Sequence, residues 1–409
     1  MDKETETIQI TLPSSKSLSN RWLMLDYLSR TGIKIKNISS SNDTQQLARL
    51  LHQLKGGRRH NFDCRDAATA ARFLLALLSI TPGTNTLTGS PQLCKRPMGQ
   101  LIDALRTAGC NIVCTHEEGF LPVKIEGVTP TVQRIKIDCS ISSQFASALL
   151  IAAAALPQGA VVELEGTPAS QPYLDMTLKV MEQGKVNWCL KGVPPAYYVE
   201  HSIPQCDVVS IEKDWSAAAF FFEATSFLHK VPVRLSGLIK DSLQGDSVVR
   251  DIYSKLGMVV SQGEQSLEVR RDRILAKTFE WDFTNTPDLV PAVAVTCAAH
   301  GIEARLTGVG NLRYKECNRL ECIAQELGKL GRKVDYNDDT MIIPAGTPFT
   351  AETLKSARPA DTHGDHRIAM ALGALKVINP DFCVNNPDDV AKSFPDFWKM
   401  LDRLMGLEN

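Results

Sequence analysis

Six segments of small and apolar residues, each about the length of one helix, constrain the fold of this 409-residue chain most strongly. After the first interval they recur roughly every 75 residues, which indicates a repeat architecture. Runs such as TAARFLLALL and SSQFASALLIAAAAL are apolar on nearly every side, so they predict helices that are buried all round. The predicted helices start near Lys16, Ala68, Ser142, Ser216, Leu289 and His366.

An amphipathic helix and short β-branched runs accompany the buried helices. DTQQLARLLHQL and DSVVRDIYSKLGM place apolar residues at helical spacing opposite a charged face. TNTLTG, VVELEG and EARLTG are typical of strands and end at glycine. Six βαβ-type units therefore predict an α/β fold of two domains with three units each. The midpoint of the series lies between Gln205 and Asp214, where we expect the chain to cross between domains.

Composition and charge exclude several classes of protein. Hydrophobic residues make up 44% and charged residues 22%, as in ordinary globular proteins, and a net charge of -1 excludes a globally basic nucleic-acid binder. The amino-terminal MDKETETIQITLP has no signal-peptide run, and no segment has about 18 consecutive apolar residues, which favours a cytoplasmic protein. The 11 scattered cysteines fit reduced thiols, and neither Cys110/Cys114 nor Cys317/Cys322 has the partner ligands of a zinc site.

The polar turns before the buried helices are the candidate functional sites. PSSKSLSNR places Lys16 and Arg21 around hydroxyl groups at a helix start, where free amide groups attract anions. The GxxxxGK pattern of a Walker loop is absent. This first turn by itself fits a capped helix with solvated cations equally well. For each of the other turns by itself, a solvated or dipole-compensating charge is the more common explanation. Together they place a cation or a carboxylate in nearly every unit, which predicts an anion-binding site.

These turns, in this order, resemble those of the 5-enolpyruvylshikimate-3-phosphate (EPSP) synthases, the enolpyruvyl transferases of the shikimate pathway. The family patterns PGSKS-x-SNR, NAGTA-x-R, SSQF, KE-x-DR and NDHR appear here as PSSKSLSNR, DAATAAR, SSQF, KECNR and GDHR. ERP, SKPY, PD and AK-x-FPD appear as KRP, SQPY, PD and AKSFPD. The resemblance covers essentially the whole chain.

The resemblance implies a particular two-domain α/β fold. Each domain contains three βαβαββ repeats around buried parallel helices, an inside-out α/β barrel. One domain is expected to comprise residues 1–14 and 213–409, and the other residues 15–212. The active site is expected in the interdomain cleft.

The resemblance also implies a reaction. The enolpyruvyl group of phosphoenolpyruvate passes to the 5-hydroxyl of shikimate 3-phosphate, by addition and elimination through a tetrahedral intermediate, and phosphate leaves. No metal or organic cofactor is expected. The expected partners are these two small molecules, with no nucleic acid or membrane, and the expected state is a monomer.

Site residues follow from the resemblance, position by position. Shikimate 3-phosphate is assigned to Lys16, Ser17, Arg21, Ser142, Ser143, Gln144, Ser170, Tyr173, Asp288, Asn311 and Lys315. Phosphoenolpyruvate is assigned to Lys16, Ala68, Arg72, Arg96, Gln144, Arg319, Arg367 and Lys392. The catalytic residues are expected to be Lys16, Asp288, Glu316 and His366.

Each catalytic residue has an expected task. Glu316 is expected to transfer the proton at C3 of phosphoenolpyruvate, and Asp288 the proton of the 5-hydroxyl. Lys16 stabilises developing charge, and His366 holds the leaving phosphate or relays a proton. Mutual repulsion among the cations of the site is expected to favour an open form without ligand.

Five of the residues that depart from the family patterns bear on the expected site. Asp66, Ala68, Phe73, Asn318 and Gly364 stand where the family has asparagine, glycine, proline, aspartate and asparagine. The methyl group of Ala68 is expected to narrow the pocket, which predicts reduced sensitivity to glyphosate.

Three alternative functions are open at this stage. The nearest is the sister enzyme that acts on UDP-N-acetylglucosamine and uses a loop cysteine, which draws attention to Cys94. A metal-dependent hydrolase would use His363, Asp365 and His366. Asp66 and Asn318 also raise the alternative of an inactive anion-binding relative.

Overall fold

The computed structural model describes residues 7–56, 61–130, 133–166, 170–192, 194–355 and 359–406. The chain divides into two compact units: unit 1 contains residues 1–14 and 212–409, and unit 2 contains residues 15–211. Glu212 lies in unit 1, one residue before the expected boundary, because its Oε1 accepts a hydrogen bond from Leu243 N at 3.3 Å. Ile211 N instead donates to Lys36 O of unit 2 at 3.0 Å.

Each predicted buried helix is present and begins within one residue of its expected start. In chain order, the α-helices of the described residues are α1 (Lys16–Leu28), α2 (Asn42–Lys55), α3 (Ala68–Ile80), α4 (Pro91–Cys94), α5 (Gly99–Thr107), α6 (Ser143–Ala155), α7 (Gln171–Gln183), α8 (Trp215–Phe227), α9 (Val249–Leu256), α10 (Val290–His300), α11 (Arg319–Lys329), α12 (Ala351–Lys355), α13 (His366–Gly373) and α14 (Phe397–Leu404). The buried helices are α1, α3, α6, α8, α10 and α13. In these described residues, no helix has the length and apolar character of a membrane span.

Polar residues of the turns cap the buried helices. The side chains of Ser15, Ser142, Asp214 and Asp365 accept hydrogen bonds from backbone N–H groups in the first turns of α1, α6, α8 and α13. Such caps satisfy amide groups that have no partner inside the helix. Helix capping therefore accounts for part of the polar composition that the sequence shows before each buried helix.

Four sheets of the described chain share one pattern. In chain order, the strands are β1 (Ile8–Thr11), β2 (Lys34–Lys36), β3 (Asn61–Asp63), β4 (Gly83–Thr88), β5 (Asn111–Cys114), β6 (Val123–Gly127), β7 (Arg134–Asp138), β8 (Ala160–Glu165), β9 (Trp188–Lys191), β10 (Ala196–Val199), β11 (Val208–Ser210), β12 (Val233–Ser236), β13 (Val259–Gln262), β14 (Ser266–Arg270), β15 (Thr278–Asp282), β16 (Glu303–Thr307), β17 (Asp335–Tyr336) and β18 (Thr340–Ile343). The strand orders of the four sheets are β3-β4-β6-β5, β7-β8-β10-β9, β1-β12-β14-β13 and β15-β16-β18-β17. The first two strands of each sheet are parallel and the others antiparallel, which is the expected βαβαββ arrangement.

Two strands pair with partners that are distant in sequence. Ile8 of β1 lies opposite Val233 of β12, and Val208 of β11 lies opposite Lys34 of β2, both in parallel pairs. Asp214 N donates to Pro13 O at 2.9 Å where the chain enters unit 1 again. The amino-terminal strand therefore belongs to a sheet that the second half of the chain builds.

Glu223 of α8 is a buried acid inside the apolar core of unit 1. The side chain is 0% exposed, and neither carboxyl oxygen has a hydrogen-bond partner among the described residues. Burial raises the pKa of this carboxyl well above its ordinary value of 4.5. The unfolded chain therefore releases the Glu223 proton at a lower pH than the folded chain, so stability falls as the pH rises above that value.

We expect Glu223→Met to stabilise the protein at neutral pH by about 1–3 kcal/mol, because a buried polar group without a partner costs about that much. Urea unfolding at several pH values between about 5 and about 8 measures the free energy of unfolding of both proteins. The variant should lose less stability with rising pH than the wild type. Glu321→Gln, at an exposed position of α11, is the control. Equal pH dependence in wild type and Glu223→Met would contradict the prediction.

Candidate active site

Arg319, the first residue of α11, is the centre of an ionic cluster in unit 1. Its Nη1 donates to Asp288 Oδ1 at 2.9 Å, its Nη2 to Glu316 Oε2 at 2.9 Å, and its Nε to Asp365 Oδ2 at 2.8 Å. The guanidinium is 1% exposed. Burial opposes its charge, but the three carboxylates outweigh burial and raise the pKa of Arg319 well above its usual range. We call Asp288, Lys315, Glu316, Arg319, Asp365, Arg367 and Lys392 the Arg319 cluster.

Asp288 lies in the 3-10 turn Pro287–Leu289 that leads into α10. Besides Arg319, its carboxylate contacts Lys315 Nζ at 3.3 Å and accepts a hydrogen bond from Arg367 Nη2 at 2.9 Å. Burial favours the neutral acid, yet Arg367, Lys315 and Arg319 together hold the pKa of Asp288 well below its usual range. A carboxylate with so low a pKa is a weak base, so Asp288 can accept a proton readily only after some of these cations move.

Glu316 faces two cations. Besides the hydrogen bond from Arg319, its Oε1 lies 3.6 Å from Nζ of Lys392, which ends the 3-10 turn Pro387–Lys392. The side chains of Glu316 and Lys392 are both mostly buried, with 9% and 12% of their surfaces exposed. The guanidinium of Arg319 thus donates hydrogen bonds to both carboxylates that are predicted to transfer protons, Asp288 and Glu316.

Carboxylates compensate the cations of the Arg319 cluster. Arg319, Arg367, Lys315 and Lys392 each contact at least one carboxylate of the Arg319 cluster. The expectation that crowded cations repel in the absence of ligand is therefore wrong for this unit, because Asp288, Glu316 and Asp365 compensate them. An incoming anion must compete with these carboxylates for the cations.

Two further predicted residues of unit 1 lie in neighbouring turns. His366 is the first residue of α13 and is buried, with Nδ1 at 3.8 Å from Asp365 Oδ1. Asn311 lies in the 3-10 turn Gly310–Tyr314, and its buried Oδ1 has no hydrogen-bond partner among the described residues. An unsatisfied buried acceptor of this kind suits a hydroxyl donor of a ligand.

Lys16 begins α1 of unit 2 and pairs with an acid that the sequence did not single out. Its Nζ donates to Asp43 Oδ2 at 3.2 Å, and Asp43 is a buried residue of the first turn of α2. Nothing in the sequence joins these residues, because they lie on different helices and only the packing of α1 against α2 brings them together.

A hydrogen bond between Arg72 of α3 and Gln144 of α6 connects the amino-terminal parts of these two helices. Arg72 Nη1 donates to Gln144 Oε1 at 2.7 Å, and Thr69 Oγ1 donates to the same oxygen at 3.3 Å. The guanidinium carbon of Arg72 also lies 5.2 Å from the centre of the Phe145 ring. Three residues assigned to substrates, Ala68, Ser142 and Ser143, begin or cap these two helices.

The remaining predicted residues of unit 2 lie in nearby turns and helices. Arg96 follows α4 and is buried. Ser170 precedes α7 with a left-handed φ of 63°, and Tyr173 lies in the first turn of that helix. Ser17 is the second residue of α1.

Arg21 joins helices inside unit 2. Its Nε donates to Thr177 Oγ1 at 2.7 Å, Nη1 to Ser17 O at 2.9 Å, and Nη2 to Tyr173 O at 2.9 Å. The side chain is buried without a carboxylate among these partners, and desolvation lowers the pKa of Arg21 to about 10. Its assignment to shikimate 3-phosphate stays a prediction, and the structure adds the task of connecting α1 to α7.

Departures from the family patterns have local explanations. Ser90 Oγ donates to Asp66, and Asn318 Nδ2 donates to Glu321 Oε2 at 3.3 Å. Gly364 has a φ of 67°, a left-handed conformation that glycine and asparagine tolerate best. Phe73 is buried, with the Arg21 guanidinium carbon 5.9 Å from its ring centre.

The metal-dependent hydrolase gains no support from the geometry. His363 Nε2 is 2.9 Å from Glu326 Oε1, and Asp365 binds Arg319. In the described part of the chain, no group of three or more His, Cys, Asp and Glu side chains could hold a metal ion.

Known proteins that resemble this chain belong to one family. A family model described as EPSP synthase (3-phosphoshikimate 1-carboxyvinyltransferase) matches residues 5–61 and 57–401. The 3-phosphoshikimate 1-carboxyvinyltransferase of Bacteroides fragilis is 33% identical over 394 residues, which span 95% of this chain and 93% of the relative. That of a Sulfurovum species is 33% identical over 419 residues, which span 97% of this chain and 96% of the relative.

Solved structures show the same fold. The EPSP synthase of Acinetobacter baumannii superposes with a TM-score of 0.75 at 21% identity, covering 98% of this chain and 96% of that one. The enolpyruvyl transferase NikO of Streptomyces tendae superposes with a TM-score of 0.73 at 15% identity, covering 98% and 95%. The sister enzyme for UDP-N-acetylglucosamine is not favoured, since the family model and these curated relatives carry the other activity in their names. From its match along nearly the whole length, the chain belongs to the EPSP synthase (3-phosphoshikimate 1-carboxyvinyltransferase) family.

Proposed function

We propose that this protein transfers the enolpyruvyl group of phosphoenolpyruvate to the 5-hydroxyl of shikimate 3-phosphate, with release of phosphate. The Arg319 cluster carries the proposal, because it holds two carboxylates, Asp288 and Glu316, among cations that an anionic substrate can engage. Addition and elimination at one carbon need both features: charge neutralisation of the substrate and groups that deliver and remove protons.

Substrate binding activates Asp288 in this proposal. The carboxylate and phosphate groups of phosphoenolpyruvate compete for Arg319, Arg367 and Lys392, so Asp288 loses part of its compensation. Its pKa then rises from the low value that Arg367, Lys315 and Arg319 impose. Asp288 thereby becomes a competent acceptor for the proton of the attacking 5-hydroxyl.

Glu316 serves the C3 proton in both halves of the reaction. Glu316 first takes up a proton, once phosphoenolpyruvate has drawn Arg319 and Lys392 away from its carboxylate. The 5-hydroxyl oxygen then bonds to C2, its proton passes to Asp288, and Glu316 delivers its proton to C3, which gives the tetrahedral intermediate. The proton from C3 returns to Glu316 as the double bond re-forms and the bond from C2 to phosphate breaks, and the proton taken from the 5-hydroxyl leaves with the phosphate. Lys16 stabilises charge that develops at the reacting centre, and His366 assists the departing phosphate.

Unit 2 supplies further groups that hold the substrates. We assign shikimate 3-phosphate to the hydroxyl-rich turns at Ser17, Ser142, Ser143, Ser170 and Tyr173, which donate and accept hydrogen bonds as a phosphate monoester and its ring hydroxyls require. Arg72, Arg96 and Gln144 are assigned to phosphoenolpyruvate, where the Arg72–Gln144 hydrogen bond fixes one guanidinium in place.

Phosphate release tests the proposed function. The protein is incubated without added metal with both substrates, and in parallel with UDP-N-acetylglucosamine in place of shikimate 3-phosphate. We expect release only with shikimate 3-phosphate, and release only with the sugar nucleotide would overturn the proposal. Absence of release with both would indicate an inactive anion-binding protein.

Two further measurements test the proposed state and location of the protein. Light scattering would test the proposed monomer of 44.9 kDa. Fractionation of the source cell would test the proposed cytoplasmic location.

Ala68→Gly is expected to make the enzyme more sensitive to glyphosate. Ala68 is a buried residue at the start of α3, beside the turn assigned to phosphoenolpyruvate, and removal of its methyl group widens the approach to the backbone. We expect the inhibition constant for glyphosate to fall about tenfold or more, equivalent to roughly 1.4 kcal/mol, with a smaller change in KM for phosphoenolpyruvate. Ala76→Gly, deep in the same helix, controls for loss of helix stability. Equal inhibition of wild type and Ala68→Gly would refute this reading.

A further inference from the structure

A second polar cluster, centred on Glu326, lies on the same helix as Arg319. The Glu326 carboxylate is 1% exposed. Its Oε1 contacts His363 Nε2 at 2.9 Å and Lys329 Nζ at 2.5 Å, and its Oε2 accepts a hydrogen bond from Asp361 N at 3.1 Å. A carboxylate can only accept, so His363 carries a proton on Nε2.

The partners of Glu326 belong to the turn that enters α13. Within this turn Asp361 Oδ1 accepts from His363 N at 2.8 Å, and Asp365 N donates to Thr362 O at 2.9 Å. His363 and Gly364 both have left-handed backbones, with φ of 52° and 67°. That conformation costs a non-glycine residue free energy, so outside contacts must offset it at His363.

Helix α11 contacts this turn at both of its ends. Arg319 binds Asp365, where the turn ends, and Glu326 binds Asp361 and His363, where it begins. Arg319 and Glu326 lie two helical turns apart on α11, about 10 Å along its axis. The turn is thus fixed against one rigid element just before it delivers His366 and Arg367.

We propose that Glu326 and His363 are positioning residues for the turn that carries Asp365, His366 and Arg367. The inference rests on the proposed function, because it assigns these residues an effect on phosphoenolpyruvate. Loss of the His363 contact would let the left-handed turn relax and displace Arg367, which the reaction needs at that substrate. Groups assigned to shikimate 3-phosphate lie mainly on other elements, so they should be spared.

The chain offers a matched set of variants. His363→Ala removes one bond between the turn and Glu326, and His363→Gln keeps an N–H donor of similar reach. Lys329→Met removes another partner of the same Glu326 oxygen, but Lys329 is 55% exposed and lies on α11 itself. The set therefore separates attachment of the turn from mere loss of charge around Glu326.

Steady-state kinetics distinguish positioning from general destabilisation. We expect His363→Ala to raise KM for phosphoenolpyruvate about fivefold to tenfold, the effect of losing one hydrogen bond of ordinary net strength. KM for shikimate 3-phosphate should change less than about twofold. His363→Gln should recover most of the loss, and Lys329→Met should behave as wild type. Equal effects on both KM values, or the same effect from Lys329→Met, would overturn the inference.

Amide hydrogen exchange gives a second readout that needs no turnover. Residues 361–367 should exchange faster in His363→Ala than in wild type or Lys329→Met, with exchange in α10 unchanged. Unchanged exchange in the turn would overturn the positioning role. A wild-type protein without turnover would refute the proposed function, while exchange would still decide whether Glu326 and His363 hold this turn.

Discussion

Arg319→Met is expected to abolish measurable turnover and to lower the melting temperature by roughly 10 °C, at about 2–4 °C per kcal/mol for a domain of this size. The substitution leaves Asp288, Glu316 and Asp365 without their shared guanidinium. Breaking a buried ion pair by removing one partner costs about 3–5 kcal/mol. Differential scanning fluorimetry and phosphate release measure the two effects.

The pH dependence of this loss follows from the pKa of Asp288. Its pKa is depressed in the folded protein, so its stabilising contribution is present above the ordinary value of 3.8 and is lost only as the pH falls further. The deficit of Arg319→Met should therefore be largest near neutral pH and shrink in acid, where Asp288, without the Arg319 guanidinium, can be protonated.

Controls for Arg319 separate this site from ordinary ion pairs. Arg305→Met removes an exposed pair with Glu280 in the same unit, with Nε at 3.6 Å from Oε1, and should change stability by less than about 1 kcal/mol. Arg319→Lys should also fail, because one ammonium group cannot span three carboxylates as a guanidinium does. Wild-type stability in Arg319→Met would contradict the central role of this residue.

Glu316→Gln is expected to lower kcat about 10²- to 10⁴-fold, the range that a positioned acid or base contributes. The amide retains the size and one acceptor of the carboxylate but cannot exchange a proton with C3. Washing of solvent deuterium into C3 of recovered phosphoenolpyruvate, in the presence of shikimate 3-phosphate, should be lost together with turnover. KM for shikimate 3-phosphate should stay within a few-fold of wild type.

Glu321→Gln is the matched control for Glu316→Gln. Glu321 lies on the exposed side of α11, where it contacts Asn318 and Gln325, and it has no contact with Arg319. We expect it to exchange deuterium and turn over as wild type. Retention of deuterium exchange in Glu316→Gln would assign the C3 proton to another group, with Asp288 as the next candidate.

Local patterns in the sequence were sufficient to predict the repeat. The starts of α6, α8 and α13 could be located because apolar runs and capping residues depend on neighbours within one turn. The order of the polar turns indicated the family, through resemblance, and the family comparison confirmed that membership. The apolar runs and the polar turns can both be recognised in a single sequence because each consists of contiguous residues.

Partner choice inside the site could not be predicted. Arg21 and Thr177 are 156 residues apart, and Lys16 and Asp43 lie on separate helices. The sequence indicated that Arg319 is a cation for substrate, but not that three carboxylates compensate it. Such pairings arise from tertiary packing. They decide whether a cation repels the other cations of the site or is compensated by nearby carboxylates.

The long-range partner of β1 makes the order of synthesis matter. Ile8 leaves the ribosome 225 residues ahead of Val233, the residue opposite which it lies. At about 5–20 residues per second, the nascent strand waits roughly 10–45 s for its neighbour. Unit 2 is complete in sequence before that moment, since β11 already supplies its last strand. Co-translational folding should therefore begin with unit 2, and β1 should join its sheet only once Val233–Ser236 emerges.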